Sequence, residues 1–238
     1  MRVIFTRAGV RRGVQRGVPL LLGIIPFGLV VGVISDGRGL TLAETMLMSL
    51  VVFAGSAQLL ALELWTNPPD VLGVAVAAFI VNVRMLPYGA ALAFWFDALK
   101  GWRLWFTLFL TVDHAVPLTL AEHRAGGRDA AFMLGLGVFT WLAWTLATAA
   151  GYVLSNTVAL PPGHPLFFAA TATFVAIIVP LWRGVRQDLA PWAIAAGMAV
   201  GAQALRLPAP IPLLAGAIAG ALVATWQESR RPGGETAP

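Results

Sequence analysis

Charge and sulfur are what this chain has least of. Only 11% of its residues are Asp, Glu, Lys or Arg, where a soluble domain carries roughly 25%. That deficit, with 58% hydrophobic residues and a mean hydropathy of +0.80, excludes an ordinary soluble globule and predicts a polytopic membrane protein. Cysteine is absent, which excludes disulfides, thiolate metal sites and a cysteine nucleophile. Nothing resembles the phosphate-cradling G-x-x-x-x-G-K-[ST] loop, so direct use of ATP by this chain is not expected. No metal or cofactor site is read. The formal charge of +5 sits in loops and tails, which argues against nucleic acid as a partner.

Apolar stretches of bilayer length fill the rest. They read as eight spans: Val18–Ile34, Leu42–Trp65, Val71–Phe96, Trp102–Leu120, Ala131–Leu154, Pro165–Trp182, Pro191–Leu205 and Ile211–Trp226. Only Pro208-Ala209-Pro210 separates the last two, so seven spans, or six with a re-entrant hairpin there, are the alternatives. The expected organisation is a basic cytoplasmic tail over residues 1–17, one transmembrane domain over 18–227 and a cytoplasmic tail over 228–238. The basic start before an apolar run resembles a signal peptide, but no small-residue cleavage site follows, so the first helix is expected to stay. With the N-terminus inside, cytoplasmic segments hold eleven Lys or Arg and the opposite side four. This asymmetry places both termini in the cytoplasm. Most Trp residues sit at stretch ends, as an aromatic belt does, whereas Trp141 and Trp144 fall mid-stretch and read as packing residues.

The stretch Ile80-Val81-Asn82-Val83-Arg84-Met85-Leu86-Pro87-Tyr88-Gly89 is the most informative. It puts a permanent cation near the middle of an apolar span, at a cost of roughly 2.5–3.5 kcal/mol even on lenient insertion scales. The first span centres on Pro26 with Gly28, the second on Ala54-Gly55-Ser56-Ala57-Gln58, the fourth just before Asp113-His114. Four consecutive spans thus place helix breaks (Pro26, Gly28, Pro87, Gly89), small residues and ionisable groups at about one depth. Interrupted helices lining a midplane cavity are how transporters build substrate sites. Each element also has a plainer reading as a kink, a packing face or a buried ion pair between Arg84 and Asp113. On the functional reading Arg84 grips a carboxylate through its forked guanidinium. Asp113 holds an ammonium or exchanges a proton, and His114 carries protons. Gly55, Ser56, Gln58, Asn82 and Tyr88 complete the candidate substrate site. A fixed cation beside a protonatable acid suits an amino acid.

These residues resemble the azaleucine-resistance (AzlC-type) family of branched-chain amino acid permeases. The likeness rests on Pro26 with Gly28 and Gly32, Leu40 to Glu44, Phe53-Ala54-Gly55-Ser56-Ala57-Gln58, Asn82-Val83-Arg84, Tyr88-Gly89 and Thr111-Val112-Asp113. The family pattern has a histidine where this chain has Met85, and Thr-Asp-Glu where it has Val112-Asp113-His114. The resemblance implies secondary transport, typically export of branched-chain or related amino acids; the leading reading adds the bacterial inner membrane as the place and the proton gradient as the driving force. The resemblance also implies a small hydrophobic AzlD-like partner subunit and no enzymatic activity. The competing classes are an intramembrane serine hydrolase with Ser56 as nucleophile and His114 as base, and a non-transporting scaffold subunit.

Overall fold

The computed structural model describes residues 4–66, 68–83, 85–96, 99–157, 168, 172, 182–207 and 211–230. Arg84, nearly all of the expected sixth span and the Pro208-Ala209-Pro210 turn lie outside them. Among the described residues the chain is helical, with one isolated β-bridge and no strand. It divides into two units, Met1–Ile177 and Ile178–Pro238.

Two long parallel helical segments frame the first unit. One is α1 (Arg7–Gly17), a single 3-10 turn over Val18–Leu20 and α2 (Leu21–Gly37); the other is α10 (Ala131–Thr157). The stretches Arg7–Gly37 and Ala131–Ser155 are each long and apolar enough to cross a membrane. The helix begins well before Val18, the expected start of the first span, because Gly9, Gly13 and Gly17 recur every fourth residue and are buried on one face. Gly13 lies against Phe132 and Leu136, Gly17 against Leu136 and Phe139, and Gly28 against Ala147. Thr6 caps α1 by accepting the Gly9 N–H at 3.1 Å, and its own N–H and hydroxyl bond Asp129. Among the closest approaches is that at Gly32, where a Cβ would strike the Thr148 carbonyl oxygen and lie 2.6 Å from the Tyr152 nitrogen. Without a hydrophobic drive between helices in lipid, such backbone-to-backbone packing supplies the association.

Pro26 does not break this helix as the sequence suggests. It lies inside α2, which continues through it to Gly37. Gly28 is a packing residue on α10 rather than part of a break, and that packing carries the helix past its missing N–H.

The expected second and fourth spans do interrupt, and each then folds back on itself. A Thr41–Glu44 capping box starts α3 (Leu42–Val51). Near its start the Tyr152 hydroxyl donates to the Leu40 carbonyl at 2.9 Å; near its end the Trp141 indole donates to the Leu50 carbonyl at 3.3 Å. So α3 runs antiparallel to α10. Extended backbone at Val52 and Ala54 ends it. Then α4 (Gly55–Glu63) returns, and Gln58 Nε2 donates to Ser49 Oγ at 3.1 Å across the two arms. In a through-going helix nine residues of rise, about 13 Å, would separate those side chains.

The second hairpin enters from the opposite end. Its first arm, α8 (Trp102–Phe109), begins with the Arg103 guanidinium 4.7 Å above the Phe5 ring and ends with Phe109 packed edge-on to Trp141 at 6.0 Å. Its second arm, α9 (Ala115–Arg124), returns until Glu122 meets Arg12 at 3.2 Å and His123 meets Trp95 at 6.1 Å. Leu42–Trp65 and Trp102–Leu120 are therefore hairpins, not crossings. Between them lie α5 (Val71–Asn82), α6 (Met85–Ala91) and α7 (Ala93–Phe96), which lead from one end of the unit to the other. This run starts beside Leu40 and Glu44 and ends at Trp95 beside α9. The α4–α5 contact is apolar, with Ala57 and Leu60 against Ala77 and Val81.

This reassignment moves Lys100 and Arg103 to the α1 side. Arg7, Arg11, Arg12, Arg16, Lys100, Arg103, Arg124 and Arg128 now share one side of the first unit, against Arg38 on the other. Among the described residues of this unit that is eight against one, where the eight-span reading divides the same nine residues six against three.

The second unit is a pair of helices, α11 (Val185–Ala204) and α12 (Ile211–Ser229), packed through Gly216 against Ala195 and Ala199 and through Gly220 against Ala195. Arg183 bonds Asp188 at 2.8 Å and Glu228 at 3.3 Å, tying the start of α11 to the end of α12. Asp188, accepting from the Arg183 guanidinium, raises the Arg183 pKa above its ordinary value.

Candidate functional site

The tips of the two hairpins meet. The Phe53 ring lies edge-on to His114, with centroids 6.1 Å apart. Around that contact is a cavity of about 60 Å³, bordered by Phe53 to Ser56 from one tip, Val112 to His114 from the other, and Ile24, Phe27, Met85 and Trp144. Two interruptions thus converge on one place, residues 52–54 and residues 110–114, with Met85 at the start of α6 beside them.

No side chain caps α4 at Ala54, so its positive end opens at Gly55 and Ser56, both on the cavity wall. Orphan N–H groups and the helix dipole favour an anion there. Gly55 is required by its surroundings: a Cβ would lie 2.7 Å from Trp144 Cη2 and 3.0 Å from the Phe27 ring. On the facing tip, Asp113 and His114 are half-buried. His114 Nε2 is sealed from solvent and makes no hydrogen bond among the described residues, and the same holds for Asn82 Oδ1 at the end of α5. Buried polar atoms are nearly always satisfied in a working state, by protein, water or ligand.

The structure therefore gathers Gly55, Ser56, Asp113 and His114 from the sequence-based candidates, with Asn82 the last residue of α5. It does not place Gln58 on this cavity. Both ends of that buried amide are used, Nε2 by Ser49 and Oε1 by the Trp144 indole N–H at 3.0 Å. Tyr88 is half-buried against the apolar core and Pro87 and Gly89 lie within α6 rather than ending it; Arg84 falls outside the described residues. The sequence reading missed Trp144, whose ring closes the cavity against Phe27 at 5.1 Å. A signal was present: two mid-stretch tryptophans three residues apart each carry an N–H that needs a partner when buried. No hydrogen bond to Ser56 is made through His114 Nε2, the nitrogen that a serine–histidine pair would use in the simplest arrangement. No group of three or more His, Asp or Glu that could hold a metal occurs among the described residues.

Trp144→Phe keeps the ring and removes the donor, leaving Gln58 Oε1 buried without it. The expected cost is about 1–3 kcal/mol, read as a lower melting temperature in detergent. Trp141→Phe, whose bond is longer and near the surface, is expected to cost less.

The fold defines the class as an α-helical protein with two segments long and apolar enough to cross a membrane and two hairpins whose tips share one cavity. Residues 19–158, spanning α2 to α10 and both hairpins, match the family described as AzlC protein, and the chain belongs to that family. It is 27% identical over 232 residues to an uncharacterized membrane protein of Archaeoglobus fulgidus, covering 95% of this chain and 99% of that one. It is 22% identical over 178 residues to the branched-chain amino acid transport protein AzlC of Bacillus subtilis, covering 74% and 68% respectively. An uncharacterized membrane protein of Haemophilus influenzae is 23% identical over 167 residues, 69% and 68% of the two chains. No solved structure matches.

Proposed function

We propose that the protein is a secondary transporter that exports branched-chain or related amino acids across the bacterial inner membrane, driven by the proton gradient. The observation that carries this reading is the meeting of two oppositely directed hairpin tips at a cavity lined by Asp113, His114 and the uncapped start of α4. In a bilayer α3–α4 and α8–α9 are re-entrant hairpins, tolerable because their irregular backbone is buried in protein. The Lys and Arg asymmetry supports cytoplasmic termini. A zwitterion suits the site: the carboxylate goes to the α4 amides and Arg84, the ammonium to Asp113. His114 and Asp113 are the groups for proton exchange, and a small hydrophobic AzlD-like subunit is the expected partner.

The test is efflux of labelled leucine, valine and methionine from proteoliposomes, with and without the small subunit, under an imposed proton gradient. Gradient-dependent efflux that Arg84→Gln abolishes is the expected result. No flux of any of the three, with the partner present, would overturn the substrate assignment.

A further inference from the structure

The first unit repeats itself with its direction reversed. Trp102 starts its helix 60 residues after Leu42, Ala115 60 after Gly55, and Ala131 60 after Val71. The sequence carries the same beat: Pro26-Phe27-Gly28 recurs as Pro87-Tyr88-Gly89, 61 residues on. Each module is a crossing followed by a hairpin. The first crossing, α1–α2, runs parallel to α10 and its hairpin opens at the far end of α10, where Tyr152 holds Leu40. The second crossing, α5–α7, runs the other way and its hairpin opens at the near end, where Arg12 holds Glu122. The cavity obeys the relation: Ile24 and Met85, 61 apart, and Ala54 and His114, 60 apart, all border it. Two modules related in this way bring their tips together at one site.

With both tips inserted the cavity holds about 60 Å³, far below the roughly 300 Å³ at which solute pockets begin. A solute of that size has no room there unless a tip withdraws. We infer that the protein is an inverted repeat whose two hairpins are the two gates of the single site, α8–α9 opening it to the α1 side and α3–α4 to the opposite side. The inference rests on the transporter reading for its purpose, and on the fold alone for its geometry. The Arg12–Glu122 pair latches one gate and the Tyr152–Leu40 bond latches the other, and both lie outside the cavity. Inverted repeats rocking about a midplane site are a known route to alternating access. Here the moving parts are half-length hairpins.

The absence of native cysteine makes the test direct. Ser56→Cys places one thiol on the cavity wall, to be labelled by a membrane-impermeant methanethiosulfonate in vesicles of either orientation. Ala54→Cys serves as a second reporter should the first fail to fold. Adding Glu122→Gln is expected to raise the labelling rate from the α1 side about fivefold, with no rise from the opposite side; Tyr152→Phe is expected to do the reverse. A fivefold change corresponds to about 1 kcal/mol, the worth of one such bond. Labelling that changes from the wrong face, or from neither, overturns the gate assignment. Efflux is measured on the wild type in parallel. Efflux without the labelling pattern removes the gates alone, and the labelling pattern without efflux removes the transporter reading alone.

Discussion

Asp113→Asn is expected to lower amino acid efflux by about 100-fold or more while leaving the protein folded. The side chain keeps its size and its place on the α8–α9 tip beside His114, and loses only its charge. Removing one member of a buried charged interaction costs about 3–5 kcal/mol, and every 1.4 kcal/mol is tenfold. That loss falls on whichever state pairs the carboxylate with substrate ammonium or a proton. Initial efflux rates, with melting temperature measured alongside, check it. A variant that melts like wild type and transports at a comparable rate would remove Asp113 from the mechanism. Asp113→Glu, which keeps the charge on a longer arm, is expected to retain part of the activity.

Gly32→Ala is expected to be among the most damaging single methyl groups that can be added to the frame. The new carbon meets the Thr148 carbonyl and the Tyr152 nitrogen, both backbone atoms of α10. A side chain can rotate away, but a helix backbone can only move as a whole. Relief therefore requires α2 and α10 to separate along the contact that also seats Gly28 and Gly151. Overpacking of this kind costs about 1–3 kcal/mol or more, and here it falls on two helices that buttress the cavity through Phe27 and Trp144. Gly37→Ala is the matched control, because nothing lies within 4 Å of a Cβ there. Melting temperature and monodispersity in detergent should fall for the first and hold for the second.

How much of this was legible in the sequence depended on the kind of information each residue carries. The interruptions near Gly55 and Asp113 were readable, because small and polar residues mid-stretch are costly in lipid and mark a place where backbone is buried in protein. Their direction was not. A break tells where a helix stops and leaves open whether the chain continues or returns, since both arms of a hairpin are as apolar as the halves of a crossing. Lys100 and Arg103 held the missing hint, because a crossing at Trp102–Leu120 puts both on the disfavoured side. Pro26 misled for the opposite reason: a proline removes one hydrogen bond, and close packing on α10 through Gly28 and Gly32 outweighs it. Gln58 and Trp144 exchanged expected roles because each is the other's hydrogen-bond partner, a pairing across 86 residues that no local pattern discloses. The inverted relation is faint in the sequence because similar placement of breaks, rather than similar side chains, carries it; Pro-aromatic-Gly recurs at Pro26 and Pro87.

The short hairpin arms also have an electrical meaning. Arms of eight and ten residues in α8 and α9 rise about 12 and 15 Å, close to half of a hydrocarbon core of about 30 Å. Each gate is thus an insulating plug half a membrane thick, with the cavity at the junction of the two. A resting voltage divides between the plugs, so an ion or protonated group travelling between either aqueous phase and the cavity crosses only part of the field. At about 2.3 kcal/mol per charge per 100 mV for a full passage, roughly half acts on each leg. Voltage then works on loading and on release alike, and charge movement in a recording should split into two components of similar size.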